Sequence, residues 1–455
     1  MPNQSVMLAI ANRLALGAAS AADLAQVLAL SQSTLSRALR DLEIDHQVLR
    51  MGSTRGARYA LRRRVAAIGS QWPVYRVDEE GTPEELGQLH ALTQDGYCVT
   101  PGPERIRGLS SGLPYSLQDA RPAGFLGRTV PIAYPELELP RRVSDWTEEH
   151  FLTYLTRRGA DTSGNLIVGA EALDRYLAGT QAATVVSAQE RRTSYPMFAE
   201  ASMAGAPPGS SALGEHPKFT LCVAAGEART HVIVKFSPPQ SSPSGRRWSD
   251  LLTAEYLAHR ELEQYGIPAC RSALFEFGDR VFLECERFDR VGAKGRLGAV
   301  SLLAVDGSRY GKLDNWSAAA NRLAADALLS AEDADRVRFL DAFGALIANT
   351  DRHFGNVMLF DRYAGRFELA PAYDMLPMLF APQDGQIVPR QFGPPAATSA
   401  WLSVWPRAHA LAQSYWNRLT KETRLSAEFR DLSSQCLAVL RTSQGTRGPD
   451  PHAVI

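Results

Sequence analysis

The amino-acid sequence predicts an α+β protein in which a small N-terminal domain precedes a larger, two-lobed part. Three observations predict this. With 455 residues, the chain is long enough for two to four domains. Its first 65 residues contain three helical apolar stripes followed by two short alternating stretches, which is typical of a small helical domain with a hairpin. From about residue 205, alternating strands frame one long amphipathic helix, which indicates a mixed lobe.

Composition argues against several classes of protein. The chain has 49 basic and 49 acidic side chains, so its overall charge does not point to nucleic acid. Five scattered cysteines have no paired spacing, which argues against a disulfide framework or a zinc knuckle and favours a reducing cytosol. No apolar window approaches the ~18 residues of a membrane span. The N-terminus is typical of an amphipathic helix rather than a signal peptide, so we expect a cytoplasmic protein without a membrane anchor.

The order of elements in the first 65 residues predicts a DNA-binding domain. Ser20 and Ser31 stand where the N-caps of the second and third helices are expected. Three helices followed by a basic hairpin is the order of a winged helix-turn-helix, and nine arginines against four acids make the segment locally basic. The side chains expected on DNA lie on the third helix and the wing: Gln32, Ser33, Ser36, Arg37, Arg40, Arg50, Arg55 and Arg58. A small protein-docking domain is the alternative.

The segment from residue 205 to residue 290 has the order of a nucleotide-binding lobe. A Gly/Ser-rich loop, SSALGEHPKF, leads into an alternating strand, and the next strand carries Lys235 near its end. We expect Ser249 to cap the helix that follows, which contains Glu255. A loop without bulky side chains lets backbone N–H groups approach phosphates, a strand lysine neutralises them, and a helical glutamate can hold that lysine. Each signal alone is weak, and together they favour a phosphate-binding site.

The stretch IANTDRHFGNVMLF, residues 347–360, places a polar cluster between two apolar runs. Asp351 and Asn356 are five positions apart, the spacing at which kinase catalytic loops place a general base and a magnesium ligand. A second metal carboxylate should follow on a strand, and FELAPAYDMLPM supplies Asp374. The cluster is therefore predicted to be a catalytic loop for phosphoryl transfer. We expect His353 to position this loop by hydrogen bonds.

These motifs, together with HVIVKF and LECERFDR, resemble those of the HipA-like serine/threonine kinases, the toxin components of bacterial persistence toxin–antitoxin modules. The YjjJ-type members, which carry their own N-terminal helix-turn-helix, are the most similar. The resemblance implies a two-lobed HipA/protein-kinase-like fold and ATP and Mg²⁺ as cofactors. It implies Asp351 as catalytic base, magnesium on Asn356 and Asp374, and ATP bound by Lys235, Gly214 and the backbone of Glu286 and Phe288. Members autophosphorylate a serine of the glycine-rich loop, and the matching positions are Ser211 and its neighbour Ser210.

The resemblance also implies the domain organisation. We expect a winged helix-turn-helix at residues 1–68, an N-terminal kinase lobe with the HipA N-subdomain at 69–285, a mainly helical lobe at 286–440 and a disordered tail at 441–455. The chain departs from the family pattern at two positions of the glycine-rich loop. His216 stands where a glutamine is usual, and Leu213 stands where a small residue is common. This departure bears on the phosphate contacts of the loop and leaves the catalytic residues intact.

The resemblance implies several partners. In the two-gene modules of this family, a separate antitoxin binds DNA and restrains the kinase, and relatives modify aminoacyl-tRNA synthetases. We therefore expect a protein substrate, an antitoxin and, because a basic segment is fused to the chain, the chain's own operator DNA bound as a homodimer. Two alternatives stay open: a kinase for a small molecule such as a sugar or nucleoside, and a nucleotide-sensing transcription regulator without kinase activity.

Overall fold

The computed structural model of the protein describes most of the chain and contains helices and five β-sheets within the described residues. The described residues are 4–52, 56–66, 68–101, 109–179, 184–204, 216–362 and 366–443. The predicted mixture of helices and sheets is thereby confirmed. None of the helices in these ranges is long and apolar enough to cross a lipid bilayer.

The first 62 residues form three helices and a small antiparallel sheet. The helices are α1 (Gln4–Ala15), α2 (Ala21–Val27) and α3 (Gln32–Ile44), and the strands are β1 (Ala19–Ser20), β2 (Val48–Met51) and β3 (Arg58–Leu61), in the spatial order β1-β3-β2. The predicted N-caps are confirmed, because the hydroxyl of Ser20 accepts from the backbone N–H of Asp23 and that of Ser31 from Thr34. The interpretation as a winged helix-turn-helix remains a prediction.

The N-terminal domain packs against the sheet that contains Leu92 and Cys98 and forms hydrogen bonds with Thr93. Leu49 and Ala60 are buried against Leu92 and Cys98 of the next sheet. Thr93 adds two hydrogen bonds, since its hydroxyl donates to the carbonyl of α1 residue Leu14 at 3.1 Å and its N–H donates to the carbonyl of Leu61 at 3.0 Å. The contact combines an apolar core with paired backbone groups.

Residues 68–179 form a second unit around an antiparallel sheet. Its strands are β4 (Gln71–Val77), β5 (Pro83–Leu92), β6 (Gly96–Thr100), β7 (Ser110–Ser111) and β8 (Leu166–Val168), in the order β7-β6-β5-β4-β8, and its helices are α4 (Gly124–Gly127), α5 (Val130–Ala133), α6 (Glu148–Arg158) and α7 (Ala170–Ala178). The sequence predicts α6 and α7 as two short helices, and both are confirmed. It does not predict the sheet, because glycine and proline interrupt the alternating pattern.

A five-stranded sheet with one long helix comes next. Its strands are β9 (Val185–Ser187), β10 (Lys218–Ala225), β11 (Ala228–Phe236), β12 (Ser272–Phe277) and β13 (Arg280–Glu286), in the order β12-β13-β11-β10-β9, and its helices are α8 (Arg191–Met203) and α9 (Pro243–Gln264). The prediction that Ser249 caps the long helix is wrong. The cap is Ser242, and Ser249 lies inside α9, where its hydroxyl donates to the carbonyl of Gly245 at 2.9 Å.

The remaining residues form a mainly helical lobe. Its helices are α10 (Leu302–Arg309), α11 (Trp316–Ala325), α12 (Ala331–Leu346), α13 (Trp405–Leu419) and α14 (Ala427–Ser443), and its short strands are β14 (Arg290–Val291), β15 (Gly295–Arg296), β16 (Ala299–Ser301), β17 (Met358–Asp361) and β18 (Phe367–Leu369). The core is aromatic, with fully buried Trp316, Phe343, Tyr415 and Trp416. Helix α9 packs against α13 and joins the two lobes. The tail is predicted at residues 441–455. Helix α14 ends at Ser443, and residues 444–455 lie outside the described residues.

The first turn of α9 approaches the preceding loop so closely that it requires glycine. A Cβ added at Gly245 would lie 1.9 Å from the carbonyl oxygen of Pro239, whereas a Cβ at Gly307 in α10 would meet no atom within 4 Å. We predict that Gly245→Ala destabilises the protein by roughly 1–3 kcal/mol, because the helix must shift. Gly307→Ala should be neutral or stabilising by up to about 1 kcal/mol, since alanine is the better helix former.

Thermal unfolding of the two variants beside the wild type tests this prediction. The Tm of Gly245→Ala should fall and that of Gly307→Ala should stay or rise. Equal Tm values for the two variants would show that the approach of α9 to the loop is not tight.

Candidate active site

A cleft of about 820 Å³ lies between the five-stranded sheet and the helical lobe. Of the residues that the sequence predicts to bind ATP or metal, five line it: Lys235, Glu286, Phe288, Asn356 and Asp374. They come from β11, from the end of β13 and the turn after it, from the catalytic loop, and from the segment after β18. Residues that are 139 positions apart in the chain are thus brought into contact.

Lys235 is the electrostatic centre of the cleft. Its ammonium donates to Glu255 Oε1 on α9 at 2.6 Å and also contacts Asp374 Oδ1. Glu255 is fully buried and Lys235 is 8% exposed. Burial alone would favour the neutral lysine, but the charges of Asp374 and Glu255 outweigh it and raise the pKa of Lys235. The lysine therefore stays charged between its two carboxylates, as a phosphate-binding lysine must.

The two carboxylates respond differently to this environment. Burial opposes ionisation of Asp374, but the positive charges of Lys235 and Lys218 overcome it and lower the pKa of Asp374 to about 2. Burial dominates at Glu255 and raises the pKa of that carboxyl, in spite of its ion pair with Lys235. Asp374 is therefore the carboxylate that is ionised at all ordinary pH values and available to a cation.

The catalytic loop is held by its own hydrogen bonds. The amide of Asn356, on a short 3₁₀ turn (Phe354–Asn356), donates to the carbonyl oxygen of Asp351 at 2.8 Å. The ring nitrogen Nδ1 of His353 accepts from the N–H of Gly355 at 3.0 Å, so the predicted positioning role of His353 agrees with its contacts. This hydrogen bond uses the amide nitrogen of Asn356, and the residue lines the cleft.

A buried asparagine joins this loop to the metal carboxylate. Asn349 is completely buried, accepts from the N–H of Asp351 at 3.0 Å and donates to the carbonyl oxygen of Asp374 at 3.0 Å. Asp374 itself has a left-handed backbone, with φ of 54°. The hydroxyl of Tyr373 donates to the carbonyl oxygen of Gly355 at 2.5 Å. Sequence analysis missed Asn349 and Tyr373, although both lie inside the motifs that it used.

Asp351 is exposed and does not line the cleft, and its side chain accepts no hydrogen bond within the described part of the chain. Partial desolvation by its neighbours raises the pKa of Asp351, the His353 side chain acts to lower it, and the negative charge of Asp374 raises it. A carboxylate with a raised pKa and no competing donor is suited to accept a proton.

Lys218 is a second lysine in the cleft whose contribution sequence analysis did not predict. It lies directly opposite Lys235 in the β10–β11 pairing and is 3% exposed. Burial lowers the pKa of Lys218, the charge of Asp374 partly restores it, and the result is about 8. Two lysines on one wall give the cleft a positive face for phosphates. The register of two adjacent strands, which sequence patterns do not fix, brings them together.

Glu286 and Phe288 form the segment that is predicted to bind adenine through its backbone. The N–H of Glu286 donates to the carbonyl of Arg271 at 2.8 Å, and the carbonyl oxygen of Glu286 faces the thiol of Cys270 at 3.4 Å. The ring of Phe288 packs against Tyr373, with centroids 5.9 Å apart. The carbonyl oxygen of Glu286 is thus the acceptor that an adenine amino group could reach.

His216, the departure from the family pattern, packs against α9. Its ring centroid lies 4.3 Å from that of Trp248. Burial, followed by the charges of Lys235 and Lys218, lowers the pKa of His216 to about 3, so the ring is neutral. Gly214, Ser210 and Ser211 lie outside the described residues.

The residues predicted to contact DNA are spread over α3 and the wing. Within the described residues, all of them are exposed, namely Gln32, Ser33, Ser36, Arg37, Arg40, Arg50 and Arg58. The guanidinium of Arg58 donates to the carbonyl of Ala18 at 2.7 Å, so part of this side chain is used within the small domain. Arg55 lies outside the described residues.

Comparison with known proteins identifies the family. A family model described as YjjJ-like toxin, middle domain, matches residues 68–177, and one described as HipA-like C-terminal domain matches residues 203–440. The protein named Toxin YjjJ from Escherichia coli (strain K12) is 35% identical over 426 residues, which cover 92% of this chain and 94% of that protein. The chain belongs to the HipA-like family, as a YjjJ-type member. The resemblance seen in the sequence motifs is confirmed.

A solved structure shows the same fold. HipA of Shewanella oneidensis MR-1, in a complex with HipB and operator DNA, matches with a TM-score of 0.50 and 14% identity, covering 82% of this chain and 97% of that chain. At this identity the match bears on the fold alone. The two-lobed part of this YjjJ-type chain therefore has a HipA-like fold.

The low pKa of Asp374 predicts a specific contribution to acid stability. Its value of about 2 in the folded protein lies below the ordinary 3.8, so the ionised form is stabilised by folding. That stability is complete above the unfolded pKa and is lost as the pH falls through about 4 towards 2, and it amounts to about 2 kcal/mol. We predict that Asp374→Asn flattens the decline of unfolding free energy between about pH 5 and pH 3.

Asp384→Asn is the matched control, because Asp384 is exposed and also has a left-handed backbone, with φ of 48° against 54° at Asp374. Asparagine tolerates this conformation as well as aspartate does. Urea unfolding at several pH values measures the slopes. If Asp374→Asn and Asp384→Asn decline in parallel with the wild type, Asp374 is not stabilised by the lysines.

Proposed function

We propose that the protein is an ATP-dependent serine/threonine protein kinase of the HipA type that is regulated by its own glycine-rich loop. The observation that carries the proposal is the continuous set of contacts from Lys235 through Asp374 and Asn349 to Asp351. It supports a phosphate-binding cation, a metal carboxylate and a general base held in one rigid arrangement. A nucleotide sensor has no use for a base at this position.

The residues present fit a magnesium ion. Mg²⁺ prefers oxygen ligands and usually takes one or two protein ligands beside substrate phosphates. The ionised carboxylate of Asp374 and the amide oxygen of Asn356 line the same cleft. No cluster of three or more metal-ligating side chains occurs in the described part of the chain, so phosphate oxygens would complete the coordination. When bound, the metal would supply positive charge beside the phosphate oxygens, and Asp374 and Asn356 are the residues that would hold it.

The proposed reaction is an in-line phosphoryl transfer. The acceptor hydroxyl forms a bond to the γ-phosphorus of ATP, the bond from phosphorus to the β–γ bridging oxygen breaks, and Asp351 accepts the hydroxyl proton. Lys235 and Lys218 hold the phosphates, and ADP leaves as the second product. The carbonyl oxygen of Glu286 and the N–H of Phe288 would receive the adenine edge. Positioning and charge stabilisation, rather than covalent chemistry, supply the rate enhancement.

Regulation and partners extend the proposal. Ser211, with Ser210 as the neighbouring candidate, would accept a phosphate from the same site. A phosphorylated loop would be repelled by the phosphates of ATP. An antitoxin and operator DNA are plausible partners, because the related Shewanella protein was solved in a complex with both HipB and its operator DNA. The exposed arginines of α3 and the wing support DNA binding by this chain itself, as a homodimer. An aminoacyl-tRNA synthetase is the expected class of protein substrate.

The first prediction from this function concerns the mass of the intact protein. Incubation of the wild type with magnesium and ATP should add one or two phosphates, mapping to Ser210 or Ser211. Asp351→Asn should reduce the rate of this gain about 10²–10⁴-fold, because the proton acceptor is lost. Asp384→Asn, which removes an exposed carboxylate, should behave like the wild type. Intact-mass spectrometry with peptide mapping measures all three.

Two results would contradict the proposal. If Asp351→Asn gained phosphate as fast as the wild type, Asp351 would not be the base. If the wild type bound ATP but transferred no phosphate to itself, to a protein or to small hydroxyl acceptors, the nucleotide-sensing alternative would be favoured. A chain already heavier than its sequence before incubation would reveal phosphorylation during expression, and phosphatase treatment would then precede the assay.

The second prediction concerns DNA. Arg37 and Arg40 are exposed on the same helix, and their combined replacement by alanine should weaken binding to the chain's own promoter DNA. If both contact phosphates, the slope of log affinity against log salt should fall by about two. Arg260→Ala on α9, far from α3 in the chain, is the control. Binding that shows no preference for promoter over random DNA at moderate salt, or that ignores both arginines, would contradict the DNA-binding role.

A further inference from the structure

A second cavity, of about 830 Å³, lies where the middle unit, the strands β9–β11 and the β14–β15 hairpin meet. None of the residues that line it lines the ATP cleft. Its polar lining is strongly basic: Arg229, His231, Arg290, Lys294 and Arg296, against the single carboxylate of Asp161. The proposed kinase chemistry uses none of these side chains.

Arg296 is the feature of this cavity that lacks an explanation within the protein. It is 5% exposed, and its Nη2 donates to the carbonyl oxygen of Ala160 at 2.5 Å. Its Nη1 is buried and has no hydrogen-bond partner among the described residues. The nearest carboxylate, Asp161, lies 4.0 Å away and is bonded more closely to Arg290, at 2.7 Å. A buried donor without an acceptor is expensive, and such groups are rare in native proteins.

The charges around the cavity do not balance. Three buried guanidinium groups, those of Arg287, Arg290 and Arg296, share two carboxylates. Asp289 is bonded to both Arg287 and Arg290 at 2.8 Å, and Asp161 is bonded to Arg290, so the only nearby counter-charge of Arg296 is Asp161, 4.0 Å away and shared with Arg290. Burial, followed by the charge of Arg290, lowers the pKa of Arg296 to about 10. The guanidinium is still protonated at neutral pH and has no carboxylate of its own.

The remaining charges point the same way. Arg229 and the exposed Lys294 add two positive charges at the rim. Burial lowers the pKa of His231, and its Nε2 lies 3.2 Å from the carbonyl oxygen of Ala293, so this ring is neutral and adds no charge. Among the described residues that line the cavity, only Asp161 is negative, and its carboxylate is ion-paired with Arg290.

The walls of the cavity are held in place by hydrogen bonds. The hydroxyl of Tyr176 donates to the carbonyl oxygen of Gly81 at 2.8 Å and lies 3.2 Å from that of Lys294. The N–H of Arg296 donates to the carbonyl oxygen of Asp78 at 2.8 Å, and its guanidinium lies over the ring of Tyr176, 4.8 Å from the centroid. The arginine is thus fixed in a preformed site and does not depend on a ligand for its position.

We propose that this cavity is a binding site for a small phosphorylated molecule, with a phosphate group on Nη1 of Arg296. A phosphate oxygen supplies the acceptor that Nη1 lacks, and its charge offsets the surplus of the buried guanidinium groups. Arg229 and Lys294 at the rim contact the same group or attract it. The site does not depend on the proposed kinase activity.

Inorganic phosphate is the probe, titrated calorimetrically into the full-length chain. Arg296→Gln should weaken phosphate binding about tenfold or more, as expected when a charge-assisted hydrogen bond is lost. Val185→Glu places a carboxylate at the mouth, at a position that is 56% exposed and tolerant of a polar side chain, and should weaken binding by repulsion. Asn356→Asp adds a negative charge to the ATP cleft at nearly unchanged side-chain size and should leave this phosphate site intact.

The variants separate the possible outcomes. Phosphate binding that survives Asn356→Asp and is weakened by Val185→Glu supports the proposal, even where Arg296→Gln fails to fold. Binding that is lost in Asn356→Asp and unchanged in Val185→Glu and Arg296→Gln places the phosphate in the ATP cleft and overturns it. Absence of any heat of binding in the wild type at millimolar phosphate overturns it as well.

Discussion

The arrangement of the two lobes depends on one buried ammonium group. Lys235 comes from the sheet, Glu255 from the long helix and Asp374 from the helical lobe, and the lysine contacts both carboxylates. A buried charge without a partner is strongly destabilising, so each of these elements is confined to positions at which the ion pairs form. The raised pKa of Lys235 keeps the group charged, which keeps the constraint in force. The sheet, the long helix and the segment that carries Asp374 therefore meet at the side chain of Lys235.

Asn349 connects the segment that contains Asp374 to the predicted catalytic loop. Asn349 bonds to the backbone of both Asp351 and Asp374, and the left-handed backbone at Asp374 turns the chain so that its carbonyl oxygen meets the asparagine while its carboxylate meets the lysine. Asp351 and Asp374 are therefore coupled, since a displacement of either backbone breaks a hydrogen bond to Asn349. Behind the loop, the carboxylate of Asp341 accepts from Arg352 at 3.3 Å, which anchors the side away from the cleft.

The sequence predicts features that depend on neighbouring residues, and it does not predict features that depend on residues far apart in the chain. The residues proposed for catalysis could be picked out because their signal is local: Asp351 and Asn356 are five positions apart, and the strand before Asp374 is short and apolar. The Ser20 and Ser31 caps are local too. Lys218 was not predictable as a partner of Lys235, because the pairing depends on the register of two strands. The cap at Ser249 was misplaced since the helix begins with Pro243, whose fixed φ suits a first turn that looks like a loop in the sequence.

The small N-terminal domain is in direct contact with the middle unit. Its helix α1 and hairpin are bonded to Thr93 and packed against Leu92 and Cys98, so only the faces away from the middle unit stay accessible. The exposed polar side of α3, with Arg37 and Arg40, is such a face. Were α3 to enter a DNA groove, the middle unit would be held beside the duplex rather than on a flexible tether.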